Sequence, residues 1–360
     1  MTSPIFKRVL PLWLSGARRN RASALAITLL AAMQGLGAAT WAPPGTDIAA
    51  PAALDAATED RILALTPERI SAADVRDVLA RAPAPRIVNL QGSLAPITME
   101  PFAEYLIAMG YPEARLRNPL DGNLSQSSFA DSEVLAGTLA WYYETEGMMP
   151  MLLGHSQGGM LAIKVLYEFA GAFRDSIAVW NPLTGESAHR SSIVDPNDGR
   201  ERPVIGLQVP YVAALATGKL PRLLLGQWTM LGKLRAIPDT VAEFTGFTIE
   251  WDLIAWTFPG SEPYHATGAA MVRNVILPAT ASHLALPQAK ELATNPVTRA
   301  WIDAYRPGAE PLAPPAVAGI DTSNVVHAAD IWYSVKKHWC LEAQRLIRAR
   351  RTVAARGTGG

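Results

Sequence analysis

The sequence predicts an α/β fold built on a mainly parallel sheet with helices on both faces. Three observations carry this. Between residues 71 and 181, short β-branched or apolar runs alternate with helical stretches of about 10–15 residues, the rhythm of βαβ units. Of the 360 residues, 49% are hydrophobic and 18% charged, enough to bury a core of ordinary size and too few charges for wholesale disorder. Finally, an apolar strand runs into Gly154-His155-Ser156-Gln157-Gly158-Gly159 and out into an apolar-periodic helix. Length alone suggests about two domains, and no internal repeat is visible.

The elements follow in order. Residues 42–60 are rich in Ala and Pro and read as linker. Ser71 is placed to cap a helix over 72–81, and Arg86–Leu90 is a strand leading into the turn Gln91-Gly92-Ser93. Thr98 caps a stretch with Phe102, Leu106 and Met109 on one face, ended by Gly110. Ala114–Arg117 is expected as a second strand. Ser128 with Asp131 makes a capping-box pattern for a helix that stops at Gly147. Pro150–Leu153 is the third strand, 158–170 a helix ended by Gly171, and Ser176–Trp180 the fourth strand. The rhythm stops at Asn181. Residues 183–203 read as polar loop, and 204–234 as an apolar insertion outside the sheet. Pro238 opens a helix, Phe247–Phe258 is strand-prone, and Val272–Pro278 is a strong strand before a helix over 287–305. Residues 306–320 are Pro-rich. The last helix spans about 329–351, and its terminal arginines (Arg345, Arg348, Arg350, Arg351) suit the helix dipole, a structural role.

Composition excludes several functions. Lys+Arg and Asp+Glu both number 32, so the chain has no basic excess for nucleic acid. The single cysteine, Cys340, rules out an intrachain disulfide and a cysteine-based zinc site. Residues 1–23 carry Lys7, Arg8, Arg18, Arg19 and Arg21 without an acid, and an apolar run follows over 24–39. This pattern reads as a secretory signal, with an uncleaved anchor, and membrane association through 24–39, as the alternative. Either way the catalytic part is expected on the export side. Arg18-Arg19 is a weak twin-arginine candidate, and with no cysteine directly after the run a lipid-modified N-terminus is not expected.

The chemistry is carried by Gly154-His155-Ser156-Gln157-Gly158, a G-x-S-x-G pattern in strand-to-helix context. The glycines answer a steric need, because side chains beside a serine in so sharp a turn would strike the strand and helix. The turn lifts Ser156 clear of the sheet, over the N-terminus of the following helix.

On these residues the sequence resembles the α/β-hydrolase family, and within it the lipase-like and esterase-like members that carry GHSQGG. The resemblance covers roughly residues 71–305, specific at 149–171 and loose after 181. It implies a Ser–acid–His triad in that chain order and an oxyanion hole of two backbone N–H groups, those of Gln157 and Ser93. Where many relatives have His-Gly-x, this chain has Gln91-Gly92-Ser93, a mild departure because the donor is a backbone group.

The base has to be a histidine, since imidazole accepts the serine proton and returns it near neutral pH. His155 lies inside the turn, His189 and His265 sit in loops, and His338 is mid-helix. His283 follows a strand and precedes a helix, as this fold places its base, and is preferred to His327, which follows no strand-like segment. The acid is Asp252 or Glu262, 31 and 21 residues before His283; the resemblance implies room for a helix between acid and base, which favours Asp252, while Glu262 suits a strand over Leu253–Phe258. The insertion at 183–246 falls where such enzymes carry a lid or cap, and Leu223–Leu225, Trp228, Met230 and Leu231 suit either the walls of an acyl site or a small second core.

The resulting division is a signal or anchor at 1–39, a linker at 40–70, core at 71–182 and 247–305, a lid at 183–246, and a C-terminal extension at 306–360. The expected activity is hydrolysis of a small-molecule or lipid carboxylic ester through an acyl-enzyme, without metal or organic cofactor. The alternatives are an acyltransferase with the same triad and a non-catalytic binding protein on the same fold.

Overall fold

The computed structural model describes residues 54–94, 96–218, 227–309 and 313–357. The leader at 1–39, the linker up to residue 53 and Leu223–Leu225 lie outside the described residues.

Five strands form one sheet: β1 (Ile87–Leu90), β2 (Met151–His155), β3 (Val209–Leu215), β4 (Val241–Ile249) and β5 (Met271–Leu277). Their spatial order is their chain order, and every neighbouring pair is parallel. Parallel strands with covered faces are apolar on both sides, and all seven residues of β3 are buried. The alternation along each strand sorts the helices. Leu152, Val212, Ala214 and Phe244 face α4 (Ser132–Glu146) and α5 (Gln157–Phe169). Leu153, Ala213, Leu215 and Phe247 face the other layer. That layer holds α1 (Ala56–Leu63), α2 (Ala72–Asp77), α3 (Glu100–Met109), α6 (Lys290–Thr294), α7 (Pro296–Ala304) and α8 (Val325–Gly357). The α/β expectation with a mainly parallel sheet and helices on both faces therefore holds. Among the described residues no helix is long and apolar enough to cross a membrane.

The local signals that agree are those with a stereochemical mechanism. Ser71 and Asp74 form a reciprocal capping box on α2. Gly110 and Gly147 end α3 and α4 in the left-handed conformation.

Several elements differ from expectation. Ala114–Arg117 is not a strand; Glu113–Arg115 is a 3-10 turn, with Arg115 paired to Glu146. The strand partner outside β1 is a single bridge from Leu90 to Gln126. The cap of α4 is Asp131 itself, whose Oδ1 accepts from Glu133 N at 2.7 Å, and not Ser128. Ser176–Trp180 stays out of the five-stranded sheet, because the place beside β2 belongs to β3; only Trp180–Asn181 pairs, with Glu186–Ser187. A Cβ on Gly137 of α4 would lie 2.1 Å from Ala178 O, so that run packs directly on the helix.

The largest correction concerns 183–246. It is not one insertion, since β3 and most of β4 lie within it at the centre of the sheet. Pro210 obscured β3, yet it sits ahead of Val212, where pairing with β2 begins, so its missing N–H breaks no ladder on that side. The helix expected from Pro238 is β4 instead. Val241, Thr245, Thr248 and Ile249 suit a strand, and a Cβ on Gly246 would lie 2.0 Å from the Tyr264 ring. The helix over 287–305 is broken in two, because Asn295 accepts from Val297 N at 2.9 Å and Pro296 restarts the chain.

Both ends of the described chain join the core. α1 buries Ile62, against the linker expectation for 40–70. α8 is no extension: Trp332 and Trp339 are buried in the main cluster, and Lys336 Nζ donates to Ile70 O at 3.1 Å. Arg345 pairs with Glu342 and Arg351 with Glu59 and Asp60, so these arginines act through ion pairs as well as through the dipole. Cys340 is buried in the same helix, and burial pushes its thiol up to about 12.

Candidate active site

Because all five strands are parallel, their carboxyl ends share one edge of the sheet, where α/β proteins assemble sites. Ser93 follows β1 by three residues, Ser156 follows β2 directly, and Asp252 follows β4 by three. His283 lies in a 3-10 turn after β5.

Ser156 has φ 53° and ψ −117°, a region that costs a non-glycine residue about 1–3 kcal/mol. Three contacts hold it there. Ser156 N donates to Leu215 O at 2.8 Å, Thr217 Oγ1 donates to Ser156 O at 3.0 Å, and the first turn of α5 bonds back to Ser156 O. The glycines do what the sequence suggests. A Cβ on Gly154 would lie 2.4 Å from Gly159 N, one on Gly158 2.1 Å from Leu90 O, and one on Gly159 1.9 Å from Thr217 Oγ1.

His283 and Asp252 are both buried, and His283 Nδ1 lies 2.6 Å from Asp252 Oδ2. The other carboxylate oxygen accepts from Ile254 N and Ala255 N, at 3.0 and 2.9 Å. These bonds orient the acid, and with Nδ1–H donated to Asp252 the second nitrogen, Nε2, keeps its lone pair. Neither that nitrogen nor Ser156 Oγ makes a hydrogen bond to another described residue.

The structure thus brings Asp252 to His283 and leaves Glu262 outside, with an exposed side chain 3.8 Å from His265. His327 is elsewhere. It is fully buried with its ring near Phe102 and Phe247, and its Nε2–H donates to Leu286 O at 2.9 Å. Burial lowers its pKa to about 4.

His155, which the sequence offers only as a packing neighbour, ties the serine turn to the loop that carries His283. Its Nε2–H donates to the carbonyl of His283 at 2.9 Å, and the two rings lie 5.0 Å apart. Burial first, then the neighbouring His283, lowers its pKa to about 3, so it works as a neutral donor. Nothing in a single sequence signals that contact across 128 residues.

The loop after β1 abuts the serine turn. A Cβ on Gly92 would lie 3.3 Å from Ser156 Cβ and 3.2 Å from His155 Nδ1. The backbone N–H of Ser93 and that of Gln157, the first of α5, donate to no described atom. The Gln157 side chain reaches Ser128 O at 3.4 Å.

No protein-family model matches this chain, and no curated protein or solved structure matches it.

Proposed function

We propose that the chain is a serine hydrolase of carboxylic esters, with an α/β-hydrolase fold. The observation that carries the reading is the buried Asp252–His283 pair, its Nε2 unengaged, on the same sheet edge as a serine held at positive φ. The placement of serine, acid and histidine after β2, β4 and β5, in that order, supports it.

In this mechanism Ser156 Oγ attacks the ester carbonyl and its proton passes to His283 Nε2. Asp252 holds Nδ1–H and stabilises the imidazolium. The oxyanion accepts from the N–H groups of Ser93 and Gln157. As the C–O bond breaks, His283 returns the proton to the leaving alkoxide. The same nitrogen then deprotonates a water, which attacks the acyl-enzyme and frees the carboxylic acid and Ser156. Trp251, Leu253 and Ile254 flank Asp252, and Leu284 follows His283; their exposure supports an apolar acyl group as part of the substrate. The leader pattern at 1–39 supports a location of the proposed enzyme on the export side of a membrane.

Labelling with a fluorophosphonate tests the reading. Wild type is expected to label, and Ser156→Ala and His283→Ala are not; His327→Ala is expected to label. Equal labelling of wild type and Ser156→Ala overturns the role of the serine.

A further inference from the structure

Beside the loop after β1 lies an open cleft of about 560 Å³. Its wall includes Gln91, immediately ahead of Gly92, and so the cleft begins next to the serine turn. Thr98 and Glu100 at the start of α3, the Asn118–Asn123 turn, and Ser125–Ser127 complete it.

The lining has a definite chemistry. Gln91 Oε1 accepts from Ser125 Oγ at 2.9 Å, which fixes the amide and leaves its Nε2 protons to the cleft. The side-chain amides of Asn123 and Gln126 bond to no other described residue, so each offers a donor and an acceptor. Glu100 and Asp121 add carboxylates. The cation in the lining, Arg117, is engaged by Glu113 and by Gly122 O. An anionic group would meet two carboxylates and a guanidinium already paired. A hydrocarbon chain would leave the amides desolvated and unbonded. A neutral group with several hydroxyls satisfies both, because each hydroxyl donates and accepts.

Sheet order gives this a direction. Ser156 follows β2, the cleft adjoins β1 at one edge, and the exposed apolar residues Trp251, Leu253, Ile254 and Leu284 follow β4 and β5 on the other side. An ester at Ser156 therefore lies between a polar cleft and an apolar rim.

We propose that the cleft is a subsite for a neutral polyhydroxylated group, so that the ester cleaved at Ser156 joins an apolar acyl chain to a sugar or similar polyol. The inference rests on the serine-esterase reading above.

The test pairs kinetics with binding. 6-O-octanoylglucose is expected to exceed ethyl octanoate by about tenfold or more in kcat/KM, mainly through KM, as when a site built to bond hydroxyls meets an analogue that lacks them. Asn123→Ala and Glu100→Ala, both at exposed positions, are expected to cut that preference by about five- to tenfold each. Binding of n-octyl glucoside, below its micelle concentration, to Ser156→Ala is read by calorimetry without turnover. Binding that Asn123→Ala weakens, with neither ester hydrolysed, keeps the subsite and overturns the esterase reading. Both esters hydrolysed alike by wild type, or a preference that neither variant reduces, keeps the esterase and overturns the subsite. Tighter binding of octyltrimethylammonium than of octyl glucoside overturns the polyol assignment in favour of a cation site.

Discussion

At the carboxyl end of β4, Asp252 meets His283 at 2.6 Å; near the amino end of the same strand, Glu243 meets His338 at 3.1 Å. Both pairs are buried histidine–carboxylate contacts, and by distance alone either resembles half of a triad. Their surroundings separate them. Glu243 also accepts from Lys337 Nζ at 2.8 Å, Arg273 at 3.1 Å and Ser334 Oγ at 2.9 Å. Arg273 in turn grips Asp330 through two bonds of 2.7 and 2.8 Å. These partners hold the Glu243 carboxyl far below the usual carboxylate range despite its burial. Both oxygens of the Glu243 carboxylate are engaged, and the cluster clamps α8 to β4 and β5. Among the described residues Asp252 bonds a single side chain, that of His283, while two backbone N–H groups orient the acid, and the histidine keeps Nε2 unengaged on the same sheet edge as a strained serine. The two carboxylates differ in their partners: Asp252 bonds one side chain, His283, and Glu243 is shared among four.

That contrast can be broken by exchange of amide for acid at each end. Asp252→Asn keeps the shape and the two backbone bonds but presents His283 with the wrong tautomer; kcat for a p-nitrophenyl ester is expected to fall by on the order of 10⁴, with urea stability nearly unchanged. Glu243→Gln leaves Arg273 and Lys337 short of a buried counter-charge, which costs about 3–5 kcal/mol of unfolding free energy. The activity of its folded fraction at low temperature is expected to persist. Loss of stability in the first variant and of catalysis in the second would reverse the assignment.

The link through His155 sharpens the comparison at a smaller scale. His155→Phe keeps a ring but no donor to His283 O, and kcat is expected to drop about 10- to 100-fold with KM little changed, the effect of a small misplacement of a reacting group. His155→Gln, with an amide N–H near the same point, should recover part of the loss. Equal activity in both variants would leave His155 a packing residue.

The smallest effect is in pH. His155 and His327 are buried neutral, with pKa values lowered to about 3 and about 4 from an ordinary 6.5. Between those limits the unfolded chain binds protons that the folded chain refuses. The stability they permit is present above pH 6.5 and lost as pH falls toward 4, by up to about 1.4 kcal/mol per pH unit for each histidine. His327→Gln should flatten the fall of Tm with acid between pH 6.5 and 4 without changing the rate of fluorophosphonate labelling. An unchanged slope would mean that His327 titrates normally in the folded protein.

Legibility followed the range of the interactions. The serine turn was readable because its glycines answer contacts made mostly within a few residues, such as Gly154 against Gly158 and Gly159. That His283 lies past the carboxyl end of β5 was readable because it needed only a strand before the histidine. Asp252 against Glu262 was a narrow preference, since both are carboxylates beyond a strand-prone run and only the fold brings one of them to His283. The strand β3 was hidden by Pro210 and by its even hydrophobicity, which lacks the alternation of a half-exposed strand. The strand β4 imitated a helix start, with Pro238 and Asp239 ahead of mixed residues.

By itself the amino-acid sequence determined the α/β class, the turn around Ser156, the caps at Ser71, Gly110 and Gly147, and the buried apolar faces. Each of these depends on backbone stereochemistry or on period within one element, and both are local. Tertiary structure alone decided which runs joined the sheet, that α1 and α8 belong to the core, and which carboxylate and which neighbouring histidine meet His283. Those outcomes depend on contacts across tens to hundreds of residues, where a strand is chosen by the partner already waiting for its N–H groups and an acid by the imidazole that reaches it.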